Sequence, residues 1–161
     1  MVAATEGKAV AQSRTEMTEL VLPSDSNQLG KLLGGRLMHW IDLAAAVTAN
    51  RHAGHVSVTA SMDSLEFLHS IQVGEVVHLV AQVNWAGRTS MEVGVEVYGE
   101  NMDTGERRKT STAFLTFVAL NSQGQPVAVP PLLLLSLEEK ERFHAAEARR
   151  QDRLKHRRRF S

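Results

Sequence analysis

The stretch from Asn27 to Asn50, NQLGKLLGGRLMHWIDLAAAVTAN, sets an amide, three glycines and a single carboxylate around the start of a strongly apolar helix. Attack of water on an activated carbonyl would use such groups, because it needs a base for the water's proton and donors aimed at the oxygen that becomes negative. Asp42 stands inside the helix, where a charge loses hydration and must find a partner. Burial alone leaves two readings open for it, a catalytic carboxylate or a structural one satisfied by backbone N–H groups or a neighbouring arginine. The N–H groups of Gly34, Gly35 and Arg36 lie near the helix start, have no acceptor within it, and point at an incoming anion or carbonyl. Glycine lets a substrate approach that backbone closely, which makes Gly35 the first candidate among the donors. Asn27 on its own reads as an Asx-turn or a cap.

The elements that must carry these groups follow from periodicity. Leu37, Ile41, Ala44, Ala45 and Thr48 fall at helical spacing, and Ala44, Ala45, Ala46 and Ala49 permit close packing on several sides, so the helix reads as buried. It is expected to end near Asn50. A short strand over Thr18–Leu22 precedes it, and Ser24, Asp25, Ser26 and Asn27 form a turn cluster. Beyond the helix the period changes to alternation, predicting strands from Val56 towards Phe67, over Val76–Trp85, over Met91–Val97 with Glu92 and Glu96 facing outward, and over Arg107–Leu120. The last three should form an antiparallel meander. Strand, loop, long helix and then several strands make an α+β architecture with helices on one face of an antiparallel sheet. Ser136 and Glu139 have the spacing of a capping box, so a second helix is expected from Leu137. Residues 1–15 read as a flexible arm, 16–131 as the folded domain, and 132–161 as a mostly helical extension.

Composition limits the functions available. The 161 residues, 43% hydrophobic and of net charge near zero, suit one globular domain able to build its own core. Without cysteine there is neither a disulfide framework nor thiolate chemistry. No apolar run has the length of a membrane span and Met1–Arg14 lacks a signal-peptide core, which together read as cytoplasmic. Residues 138–159 hold nine Lys or Arg against five Asp or Glu, leaving the rest of the chain at 9 minus 13, or −4. Alternating signs on a solvated helix account for that asymmetry, with nucleic acid or an anionic surface as a weaker reading of Arg149–Arg159.

Taken in order, Pro23-Ser-Asp-Ser-Asn27, Gly30, Gly34-Gly35, Met38–Asp42, Val58-Thr-Ala-Ser-Met-Asp63, Phe67, Gly87-Arg-Thr-Ser-Met-Glu92 and Phe117-Val-Ala-Leu120 resemble the single-domain acyl-CoA thioesterases of the hotdog fold, near the YciA type and the brain-type acyl-CoA hydrolases. The resemblance covers about residues 17–131. It implies a curled antiparallel sheet wrapped around the long helix, dimers joined into a continuous sheet through an edge strand, and in this group trimers of such dimers. It also implies hydrolysis of fatty acyl-CoA to free acid and CoA with no metal or bound cofactor. At matching motif positions it assigns the base or nucleophile to Asp42 and the orientation of water or substrate to Asn27. Seven residues separate Gly35 from Asp42, roughly 10 Å of helix, so one thioester carbonyl cannot touch both. A site using both would take Asn27 and the helix start from one subunit and Asp42 from its partner.

Other groups are candidates for holding CoA. By the resemblance, the Gly87–Ser90 turn approaches the CoA side of the site, where Arg88 could meet phosphate and Thr89 or Ser90 could hydrogen-bond near the thioester, although an ordinary polar hairpin explains them nearly as well. Arg51 and His52 are weaker candidates beside a helix-end dipole role, and Arg107, Arg108 and Lys109 beside a solvated strand start. The seven histidines are scattered, which places metal catalysis well behind, and no Gly-x-Ser-x-Gly elbow is present. Two alternatives stay open: an acyl-CoA sensor without turnover, and a hydratase or dehydratase acting on acyl thioesters, which would need an acid/base pair often including histidine.

Overall fold

Alternation of apolar and polar residues builds one five-stranded sheet, seen in a computed structural model that describes residues 6–160. Its strands are β2 (Thr15–Leu20), β3 (Ser57–Phe67), β4 (Val76–Ala86), β5 (Ser90–Glu100) and β6 (Arg107–Ala119). They lie in the order β2-β4-β5-β6-β3, antiparallel throughout. The expected meander is therefore β4-β5-β6, and β3 returns to close one edge. One face of the sheet packs on α2 (Gly34–Ala53) through Leu79, Val83, Met91, Val95, Leu115 and Phe117, all fully buried. This is the α+β hotdog arrangement expected from the sequence.

Helix α2 is buried along only one side. Leu37, Trp40, Ile41, Ala44, Ala45, Thr48 and Ala49 face the sheet, whereas Met38, Leu43 and Val47 remain 43%, 44% and 42% exposed. The expectation of a buried helix packed on several sides is thus corrected for the single chain, because one sheet can wrap only one face of a helix. At the helix start the exposed apolar surface continues onto Phe67 of β3, whose ring lies beside Gly34. The helix also runs a turn past Asn50, to Ala53. Gly54 then stops it in the left-handed conformation (φ 70°), its N–H donating to Asn50 O at 2.9 Å.

Residues 8–13, expected to belong to a flexible arm, carry regular structure. Strand β1 (Lys8–Ala9) pairs in parallel with β7 (Leu132–Leu133), and α1 (Val10–Ser13) buries Val10 and Ser13. Their partner is far along the chain, which local composition does not show; residues 1–5 lie outside the described residues. The long helix α3 (Leu137–Phe160) begins where expected, with Ser136 Oγ accepting the Glu139 N–H at 3.1 Å and the Glu139 carboxylate accepting the Leu135 N–H at 3.0 Å.

Helix α3 crosses the sheet face opposite α2. Alternation along β5 turns Glu92 and Glu96 to that side, where arginines of α3 meet them. Arg149 makes a fork on Glu92 (Nη2–Oε1 2.7 Å, Nε–Oε2 2.9 Å), Arg142 donates to Glu96 at 3.1 Å, and Arg153 pairs with Asp63 at 2.5 Å. Burial pushes the Glu96 carboxyl up, but hydrogen bonds from Tyr98 and Arg142 outweigh it and hold the group below its ordinary range. Among the described side chains of α3, Ala146 is the buried apolar one, so over that length the helix is fastened mainly by charge. The expected solvated tail is instead docked on the outward glutamates.

Candidate active site

The loop before α2 is pinned by Asp25. Its Oδ2 accepts the Leu22 N–H at 3.0 Å, its carbonyl accepts the Leu33 N–H at 2.9 Å, and its Oδ1 lies 3.2 Å from Arg36 Nε. A buried carboxylate with these partners fixes the angle at which the chain enters the helix, and it holds Arg36 within its own subunit. Asn27 forms the Asx-turn that its residue type suggests, with Oδ1 accepting the N–H groups of Leu29 (2.9 Å) and Lys31 (3.2 Å). That anchorage orients the amide and leaves Nδ2 as an exposed donor, with no acceptor bonded to it among the described residues.

The helix start is bare. Leu33 at the N-cap offers no side-chain cap, the first turn has no acidic residue, and the first intrahelical bond runs from Leu37 N to Leu33 O at 3.1 Å. The N–H groups of Gly34, Gly35 and Arg36 are therefore without helical acceptors. A methyl group at Gly35 would meet no atom within 4 Å beyond its own stretch of helix, so its Cα borders open space, whereas Gly34 is partly covered by Phe67, whose Cζ would stand 3.4 Å from such a methyl.

Asp42 is half-buried rather than buried, at the margin of the exposed strip of α2. Its Oδ1 accepts the hydroxyl of Thr59 at 2.6 Å. Strand β3 has a bulge between Thr59 and Ser61, and this irregularity aims Thr59 at α2 while Ala60 and Ser61 line the far side of the sheet. Thr59 lies within the Val58–Asp63 segment of the resemblance, but its residue type alone points to no role. A hydroxyl in a strand is common, and the bulge that aims this one has no signature in the residues.

The remaining candidates separate. Thr89 and Ser90 lie on a cavity of about 920 Å³ between the outer sheet face and the C-terminal half of α3. Arg88 beside them is exposed, its carbonyl holding the Val129 N–H at 2.9 Å. Arg51 stands sixteen residues beyond Gly35, roughly 24 Å along the helix. Its guanidinium donates to Arg14 O and Thr15 Oγ1, so it ties α2 to β2. His52 is buried, donating from Nε2 to Pro130 O at 2.8 Å. Arg107, Arg108 and Lys109 are committed to His78, Glu75 and Glu96. Among the described residues no three His, Asp or Glu side chains gather as a metal ligand set, and no bond joins His39, one turn before Asp42, to that carboxylate.

Residues 29–106 match the thioesterase superfamily. Over 156 residues the chain is 42% identical to the protein named uncharacterized acyl-CoA thioester hydrolase YkhA of Bacillus subtilis (strain 168), covering 97% of this chain and 90% of that one. Among solved structures, an apo-hexameric acyl-CoA thioesterase superposes with a TM-score of 0.90 at 44% identity, over 94% of this chain and 97% of the other. An acyl-CoA hydrolase from Staphylococcus aureus, solved with butyryl-CoA, CoA and CoA disulfide, superposes with a TM-score of 0.87 at 37% identity, over 93% and 92%. Variants of that enzyme with alanine at an aspartate, an asparagine and a threonine superpose equally well. Likeness over nearly the whole chain defines the class: the chain belongs to the thioesterase superfamily. Within it the chain is an acyl-CoA thioester hydrolase, splitting acyl-CoA into CoA and a carboxylic acid.

Proposed function

We propose that acyl-CoA is cleaved at a site shared by two subunits, with Asp42 and Thr59 from one and Asn27 and the α2 start from the other. The observation that carries this reading is the Thr59–Asp42 bond at the edge of an exposed apolar strip. Thr59 fixes one carboxylate oxygen and leaves the other to take a proton from water. That water adds to the thioester carbon, the oxyanion is met by the Gly35 N–H with Asn27 Nδ2 orienting the reactants, and the C–S bond breaks. Asp42 then returns its proton to the departing CoA thiolate. Gly34 and Arg36 complete the helix start, and Thr89, Ser90 and Arg88 lie towards CoA. The S. aureus variants concern an asparagine, an aspartate fifteen residues later and a threonine seventeen residues after that, and Asn27, Asp42 and Thr59 repeat these types and intervals.

The apolar strip of α2 and β3 favours pairing of two copies, and the hexameric relative favours a trimer of such dimers. A cytoplasmic location accords with a rat relative named a cytosolic acyl-CoA thioester hydrolase, 34% identical over 146 residues. Among the described residues no helix is long and apolar enough to cross a membrane.

CoA release from a graded acyl-CoA series tests the mechanism. Asp42→Asn should lower kcat by about 10²–10⁴-fold, the usual worth of a general base, in a protein that still folds. Mixing Asn27→Ala with Asp42→Ala subunits should restore turnover, since some mixed dimers carry one intact site. No restoration would end the shared-site reading, and CoA binding without thiol release from any substrate would turn the assignment to a sensor.

A further inference from the structure

Asp42 has one oxygen taken up and one still open. Oδ1 accepts the Thr59 hydroxyl at 2.6 Å, and the mechanism above gives the other oxygen a proton from water. A water held by one hydrogen bond still rotates about it, so its lone pair is not aimed. Its two hydrogens need two acceptors. Of the α2 positions one turn from Asp42, Met38, Ala45 and Ala46 offer no nitrogen or oxygen in their side chains, and the remaining one is His39.

His39 stands in the middle of the uncovered face of α2. Gly35, His39, Asp42 and Ala46 fall at i, i+4, i+7 and i+11, which is one stripe along a helix. Gly35 and His39 are exposed and Asp42 and Ala46 half-buried, while Leu37, Trp40, Ile41, Ala44 and Ala45 on the other side are buried. The imidazole is thus one turn from the oxyanion donors and one turn from the base. Its place three residues before Asp42 sets the two Cβ atoms about 5–6 Å apart. No direct bond joins the two side chains. One water bonded to both fits that spacing. Pairing of two copies keeps the ring there: if each Gly35 meets the Asp42 of the other copy, the two-fold axis passes the middle of that interval, beside Met38 and His39, and the ring is enclosed between the two sites.

We propose that His39 is the water-positioning residue of this site: its unprotonated ring nitrogen accepts one hydrogen of the attacking water while the free Asp42 oxygen accepts the other. With both hydrogens held, the water's lone pair is turned away from the helix, towards the thioester carbon. As the C–O bond forms, Asp42 takes its proton and later passes it to the CoA thiolate. The hydrogen held by His39 stays on the oxygen and leaves with the carboxylic acid. The inference rests on Asp42 as the base and adds a second acceptor to it.

The test is steady-state CoA release by His39→Leu, His39→Gln and His39→Arg, with sedimentation to establish that each assembles as wild type does. Leucine has no acceptor, glutamine has a carbonyl that accepts, and arginine has donors only. The leucine and arginine variants should lose about tenfold to 10²-fold in kcat with KM within about twofold of wild type, and glutamine should keep most of the rate. Because the two acceptors act on one water, His39→Leu added to Asp42→Asn should cost little beyond Asp42→Asn alone. An assembled His39→Leu with wild-type kcat, equal losses in all three variants, or a fully additive loss in the double variant would each overturn the proposal and leave Asp42 as the base. Wild-type turnover in Asp42→Asn would instead overturn the base reading, and the role of His39 with it.

Discussion

Replacing Arg149 by methionine, which keeps the length of the stem and removes the guanidinium, tests whether α3 is fastened by charge. Glu92 is 1% exposed and receives both arms of Arg149 as well as Asn84 Nδ2 at 3.1 Å. Breaking a buried pair by removing one partner costs about 3–5 kcal/mol, because the other charge stays behind unpaired. Two features reduce that here. The Arg149 side chain keeps 26% exposure, and Arg153 Nη1, 4.0 Å from Glu92 Oε2, can take over part of the field. About 2–3 kcal/mol is then expected. For a chain of this size that lowers the thermal midpoint by roughly 4–12 °C, measured at one protein concentration since association adds to apparent stability. Glu92→Gln in the Arg149→Met background removes the stranded charge and should recover most of the loss, giving a coupling of about 2 kcal/mol in a double-mutant cycle. A midpoint for Arg149→Met within 1 °C of wild type, or strictly additive single effects, would refute the account of how α3 is held.

Burial chiefly lowers the pKa of His52 in the native state, so as pH falls the unfolded chain, with the ordinary value near 6.5, takes up this proton first. Stability should therefore fall as pH drops through and below 6.5, and His52→Gln, which can still donate to Pro130 O, should flatten the urea midpoint measured between pH 7.5 and 5.5. Val47→Asp places a charge on the exposed apolar strip of α2 and should shift sedimentation towards single subunits with loss of thioesterase activity. Full assembly and activity in that variant would show that another surface pairs the subunits.

Much of this was legible from residue patterns, and the misses share a cause. Leu37, Ile41, Ala44, Ala45 and Thr48 all face the sheet as their spacing demands, and β4–β6 keep nearly the expected bounds. The motif positions led to Asn27, the glycines and Asp42. What stayed hidden depended on contacts between distant segments. The pairing of Lys8–Ala9 with Leu132–Leu133, the bulge that turns Thr59 onto Asp42, and the burial of Glu92 under Arg149 each join residues far apart in the chain. Alternation gave Glu92 its side of the sheet, but nothing local says that a helix will cover that side. The charge imbalance between residues 138–159 and the rest was visible, and its resolution lies inside the chain: Glu92, Glu96 and Asp63 receive the arginines of α3.

Three features of α2 bear on one another. Its exposed strip of Met38, Leu43 and Val47, its uncapped first turn and its half-buried Asp42 would each be a defect in a helix meant to work alone. The apolar strip favours a second copy by hydrophobic burial, the first turn favours an anion or carbonyl oxygen, and Asp42 favours a water. Because roughly 10 Å of helix separates the carboxylate from the Gly35 N–H, the last two cannot be met around one carbonyl within a single subunit. Pairing of two α2 helices would answer all three at once, covering the strip and bringing the base of one chain towards the donors of the other. Under the shared-site reading, specific activity should therefore fall on dilution in step with dissociation of the pair, whereas a site complete in one chain would lose none.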